Sequence, residues 1–144
     1  MSTKENKELT RQGLNAWNEV KGDTARIRPL YQRYYATEFV MHFPRRDMGW
    51  EQAVQVDTEL LSVFPDFTIH VDDIVAEGDK VVTRGKWQGA LNGSFMGISA
   101  TKKHVVVKEV NVFKIEAGKI VEMWNFGDSL GLMTQLGVIP APKK

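Results

Sequence analysis

The sequence has no cysteine in its 144 residues. A disulfide framework, a thiolate nucleophile and any Cys-ligated zinc or iron–sulfur site are thereby excluded. It also lacks an excess of charge. Its 19 basic and 18 acidic side chains leave a formal +1 at pH 7, so no bulk field gathers a polyanion and no nucleic-acid partner is expected. No apolar run approaches the roughly eighteen residues of a membrane-spanning helix, and residues 1–10 are polar where a secretory signal would be apolar. A cytoplasmic protein with no membrane association is the resulting expectation. Histidines number three, and no His/Asp/Glu group has ligand spacing, so no metal site is expected. Gly85, Gly89, Gly93 and Gly97 are not followed by the helix that a phosphate loop requires, and they read as bends and bulges.

What remains is an ordinary globular composition, 42% apolar and 26% charged. At 16.3 kDa the chain is one domain, 1–144, with about two-thirds of its surface buried on folding and room for an internal pocket. The first third has helical periodicity. Leu9, Leu14, Trp17 and Val20 precede a stop at Gly22-Asp23, and Ile27, Leu30, Tyr31 and Tyr34 form a second stripe with Pro29 near its start. After the apolar run Phe39–Pro44, a third helix is predicted from about Gly49 to Val63, with Trp50, Ala53, Val54, Leu60, Leu61 and Phe64 on its face and Pro65-Asp66 ending it. From Phe67 the period changes to two. Strands are predicted to about Val71, over 80–88, over 104–116 and over 120–126, then a short helix over 130–136 closed by Gly137, and a linker-like tail over 140–144. Helices followed by an antiparallel meander make an α+β domain.

A turn centred on Ala117-Gly118 sets Ile115 opposite Ile120, Phe113 opposite Glu122, Asn111 opposite Trp124 and Glu109 opposite Phe126, all on one face. That face mixes apolar and polar groups, as a pocket would. The other face, with Val110, Val112, Met123 and Asn125, suits a second subunit.

Several segments carry a resemblance in their order along the chain: Phe64-Pro65-Asp66; Glu77 to Arg84; Phe95 to Lys102; Gly118 to Trp124; Asp128; and Gln135-Leu136-Gly137. Over about Leu9 to Gly137 the chain resembles the SnoaL-like polyketide cyclases of the nuclear-transport-factor-2-like superfamily. The resemblance implies a cone of strongly curved antiparallel sheet with helices packed on its concave side, usually in homodimers or larger homo-oligomers. It also implies a cofactor-free intramolecular aldol condensation with an aspartate as acid/base. Where the family commonly has Gly-Thr-His-x-Gly this chain has Gly89-Ala90-Leu91-Asn92-Gly93, and Asn125 stands where an aspartate often follows the tryptophan.

On this basis Asp128 is the candidate general acid/base, although an aspartate directly before Ser129 also reads as a helix N-cap. Glu122 is expected to point inward, as a catalytic carboxylate or as the partner of Arg84 in a bracing ion pair. His42 or Arg84 would stabilise an enolate oxygen, with a hydrogen-bonded structural role as the other reading of His42. Trp17 and Trp124 would sandwich a flat ligand, and Asn111, Phe113, Phe126 and Leu91 would complete the wall. The expected substrate is a hydrophobic, carbonyl-bearing small molecule. A non-catalytic binding module and a dimerisation domain are the alternatives.

Overall fold

The chain enters its first helix through a capping box. The Ser2 hydroxyl accepts the Glu5 N–H and the Glu5 carboxylate accepts the Ser2 N–H, both at 3.1 Å. In a computed structural model, which describes residues 2–140, the element order is α1 (Thr3–Asn18), α2 (Ile27–Tyr34), β1 (Tyr35–Phe43), β2 (Arg46–Gly49), α3 (Trp50–Val63), β3 (Thr68–Glu77), β4 (Lys80–Ala90), β5 (His104–Glu116), β6 (Lys119–Gly127) and α4 (Ser129–Gln135). Most of the predicted tail, 141–144, lies outside the described residues. Among the described residues no helix is long and apolar enough to cross a membrane.

The six strands form one curved, unclosed sheet in the order β2-β1-β6-β5-β4-β3. Neighbours are antiparallel except β1 and β6, which run parallel. The apolar run 39–44, unassigned from periodicity, is most of β1. It lies between β2 and β6 and is partly covered on both faces, which removes the alternation that would mark it as a strand.

Bulges curve the sheet. The β3–β4 register slips between Val71 and Asp73, where β3 folds so closely over Gly85 that a Cβ there would collide with the His70 carbonyl oxygen. α1 caps this edge of the sheet. The Asn18 carboxamide donates to the Ile69 carbonyl at 3.0 Å and accepts the Ile69 N–H at 2.6 Å, occupying edge groups that would otherwise be free to template pairing. The β5–β6 hairpin turns through Ala117 and Gly118, both at positive φ (49° and 74°), which suits the two-residue turn that the sequence indicates.

α1, α2 and α3 pack across the concave face. Tyr31, Phe39, Phe64 and Phe113 are fully buried between the layers, and Tyr31 stacks on Tyr35 with ring centroids 4.5 Å apart.

Candidate active site

The expected pairing of the last two strands holds at Ile115–Ile120 and then slips by one. Val121 is an extra residue, so Phe113 faces Met123, Asn111 faces Asn125 and Glu109 faces Gly127. A one-residue slip exchanges the two faces of a strand. Met123 and Asn125 therefore turn into the concavity, and Glu122, Trp124 and Phe126 turn out. Paired this way, the inner face puts apolar on apolar and amide on amide.

A cavity of about 170 Å³ lies between this inner face and the helices. β5 and β6 contribute Glu109, Asn111, Met123 and Asn125; β4 contributes Trp87; β1 contributes Tyr35, Met41 and Phe43. From the helices come Leu14 and Trp17 of α1, Tyr31 of α2, and Val56, Asp57, Leu60 and Leu61 of α3. The lining is mostly apolar with two carboxylates.

Asp57 sits in the middle of the buried stripe of α3, one turn from both Ala53 and Leu61. The Tyr31 hydroxyl donates to its Oδ2. Burial pushes its pKa up from the usual 3.8 to about 6; the Tyr31 bond opposes the rise and the nearby Glu109 charge adds to it. Asp57 is partly buried and lines the cavity. Glu109 is also raised, chiefly by burial and against the opposing hydrogen bonds of Asn125 and Asn111. The Asn125 Nδ2 donates to Glu109 Oε2 at 3.2 Å and to Asn111 Oδ1 at 2.6 Å. Both strand neighbours of Glu109 are glycines, Gly85 and Gly127; the β3 backbone at His70 fills the place a side chain on Gly85 would take. Tyr35 is the third polar group. Its oxygen accepts the Trp17 indole N–H at 3.4 Å, leaving its own proton for another acceptor, and burial raises its pKa.

Of the residues singled out from sequence, Trp17 and Asn111 line the cavity. Phe113 and Leu91 are fully buried core residues outside its lining. The others lie elsewhere. Trp124 is on the outer face, stacked on His42 at 5.2 Å. Phe126, also turned out by the bulge, is 54% exposed. Arg84 alternates outward from the buried Thr83 and is bound to Asp73 at 2.6 Å rather than to Glu122. Glu122 instead binds His42 Nε2 at 2.5 Å, while His42 Nδ1 meets Asp47 at 2.7 Å. These two bonds raise the His42 pKa, Asp47 contributing most. Asp128 is the N-cap of α4, accepting the Gly131 N–H at 2.9 Å in an exposed position. The cap reading accounts for it. Among the described residues no group of three or more His, Asp or Glu side chains is placed to hold a metal ion.

Asp57 and Tyr35 escape the sequence reading. The signal for Asp57 is present: it is the charged residue at the position where the apolar stripe Trp50, Ala53, Val54, Leu60, Leu61 should continue. Glu109 is placed on the inner face by the register argument but is given no role there.

Comparison with known proteins supplies the wider setting. No curated protein matches the sequence significantly. Among solved structures, AclR of Streptomyces galilaeus, provisionally described as a hydroxylase, superposes with a TM-score of 0.86 at 26% identity, covering 96% of this chain and 100% of that one. A protein of Jannaschia sp. CCS1, provisionally described as a SnoaL-like polyketide cyclase, gives a TM-score of 0.81 at 27% identity over 96% and 95% of the two chains. TsrD of Streptomyces laurentii gives 0.79 at 29% identity over 96% and 99%. The model of the SnoaL-like polyketide cyclase family matches residues 8–136. With nearly its whole length matched, the chain belongs to the SnoaL-like polyketide cyclase family.

Proposed function

We propose that this protein is a cofactor-independent cyclase or isomerase that removes a proton alpha to a carbonyl of a hydrophobic small molecule, with Asp57 as the base. The observation that carries this reading is two carboxylates, Asp57 and Glu109, raised by burial in one mostly apolar cavity. A base whose pKa lies near neutrality combines the ionised form with useful basicity, which an ordinary exposed aspartate does not.

The steps balance in protons alone. Asp57 takes the alpha proton, and the enolate oxygen accepts the Tyr35 hydroxyl, whose raised pKa keeps it a donor. The carbanion attacks a second carbonyl of the same molecule, one C–C bond forms as the carbonyl π bond opens, and the new alkoxide takes the proton back from Asp57, which restores the starting state. Trp17 and Trp87 offer flat apolar walls to the ring system. In place of Asp128, His42, Arg84 and Glu122, the acid/base roles fall to side chains inside the cone.

The supporting experiment is turnover of aromatic poly-β-ketone substrates by the wild-type protein and by Asp57→Asn, with Asp128→Asn as the control. Loss in the first variant and retention in the second are expected; full activity in Asp57→Asn would exclude Asp57 as the base. Likeness to AclR favours oxygen insertion as a second reading, and a product heavier by one oxygen atom identifies it.

The outer face favours self-association. Val110 and Phe126 are 39% and 54% exposed beside Trp124, an apolar strip suited to a second copy. Light scattering that gives the monomer mass at all concentrations would rule out the homodimer.

A further inference from the structure

A larger groove adjoins the cavity, and we infer that this groove holds the remainder of the substrate, an apolar body ending in a carboxylate that Arg45 and Arg46 receive. The inference rests on the reading of the inner cavity as the reaction chamber and names the class of molecule that enters it.

Three observations carry it. The groove, about 940 Å³, adjoins the inner cavity, with Phe43, Val56 and Leu60 lining both. The inner chamber alone is smaller than the few hundred Å³ typical of ligand sites.

The groove also has an apolar rim in a costly conformation. Phe95 and Ile98 exchange backbone hydrogen bonds of 2.9 and 2.8 Å around a turn whose tip is Met96. Met96 is held at φ 50°, where a residue with a Cβ is disfavoured, and is 74% exposed. A strained turn that presents methionine to water at the mouth of an apolar groove suits an apolar occupant.

The third observation is charge. Arg45, on the turn joining β1 to β2, and Arg46, the first residue of β2, are exposed and line the groove. Among the described residues neither guanidinium has a carboxylate within salt-bridge distance, unlike Arg28 and Arg84. Glu59 is the one acidic side chain in the lining. Guanidinium forks match carboxylate geometry and are the natural receptor for such an end group.

The test compares anthraquinone-2-carboxylate with its methyl ester by calorimetry, using the wild-type protein, the double variant Arg45→Ala/Arg46→Ala and the charge-conserving double variant to lysine. 2-Naphthol serves as a probe for the inner chamber. At low salt the carboxylate is expected to bind about tenfold more tightly than the ester. That advantage shrinks with added salt, disappears in the alanine variant and partly returns in the lysine variant, while 2-naphthol affinity stays constant throughout. Equal binding of acid and ester, or an advantage that survives in the alanine variant, overturns the inference. Failure of the wild-type protein to bind 2-naphthol counts against the inner chamber instead, and the acid-to-ester comparison still decides the groove.

Discussion

Replacing Asp57 with asparagine is expected to stabilise the protein at neutral pH while removing its activity. Folding carries the Asp57 pKa from 3.8 to about 6, so between those values the folded state binds the proton more tightly than the unfolded chain does. Stability therefore falls as pH rises through this window. At about 1.36 kcal/mol per pH unit, the difference amounts to about 3 kcal/mol by pH 7. Asparagine keeps an oxygen to accept the Tyr31 hydroxyl and has no charge to bury. The variant should match wild type near pH 4 and exceed it by about 3 kcal/mol at pH 7, roughly 10 °C in Tm for a chain of this size. Glu109 and His42 also have raised pKa values and tilt both proteins in the same direction, so the difference between the two profiles reports Asp57 together with its coupling to the Glu109 charge. Urea denaturation at a fixed protein concentration, in steps from pH 4 to pH 7.5, measures it. Parallel profiles, or a variant less stable than wild type at pH 7, would refute the claim that a charge is buried at this position.

Three further outcomes follow from the same geometry. Tyr31→Phe removes the one hydrogen bond that holds the Asp57 pKa down, so the acidic limb of the pH–rate profile should move up by about one pH unit, a neutral-to-charged hydrogen bond being worth roughly that much. Asp128→Ala deletes the α4 cap and should cost about 1 kcal/mol in stability with kcat unchanged; loss of turnover with the fold intact would return Asp128 to the mechanism. His42→Ala removes a histidine whose raised pKa makes its contribution full at low pH and lost as pH rises past the folded value. Its destabilisation should be larger at pH 5 than at pH 9, and the reverse order in thermal melts would contradict the ion pairs to Asp47 and Glu122.

The sequence shows the architecture more readily than the site. Helical stripes, the change of period at Phe67 and the Ala117-Gly118 turn all reflect local rules that the fold obeys. β1 escapes because, with neighbours on both edges and cover on both faces, it has no alternation to display. The expected register is shifted by the single bulge at Val121, which has no glycine to signal it and which turns Glu122, Trp124 and Phe126 outward together. Opposing Phe113 with Met123 and Asn111 with Asn125 is the better match in polarity, and that comparison is available from the residues alone. Asp57 is hidden for a different reason: a carboxylate at the centre of a core stripe looks like an interruption of the pattern, although its burial is what raises its pKa. The family resemblance points to the position of Asn125, and there the structure has a carboxamide that supports Glu109.

The central claim, that Asp57 removes a proton alpha to a carbonyl inside the cavity, is tested most directly by isotope exchange. A cyclic aromatic ketone small enough for the inner chamber, such as 2-tetralone, is incubated in D₂O with wild-type protein or Asp57→Asn, and deuterium at the alpha carbon is followed by NMR. Exchange above the buffer rate with wild type, reduced at least a hundredfold in the variant, is the expected result for loss of a general base. Equal exchange by both proteins would contradict the account.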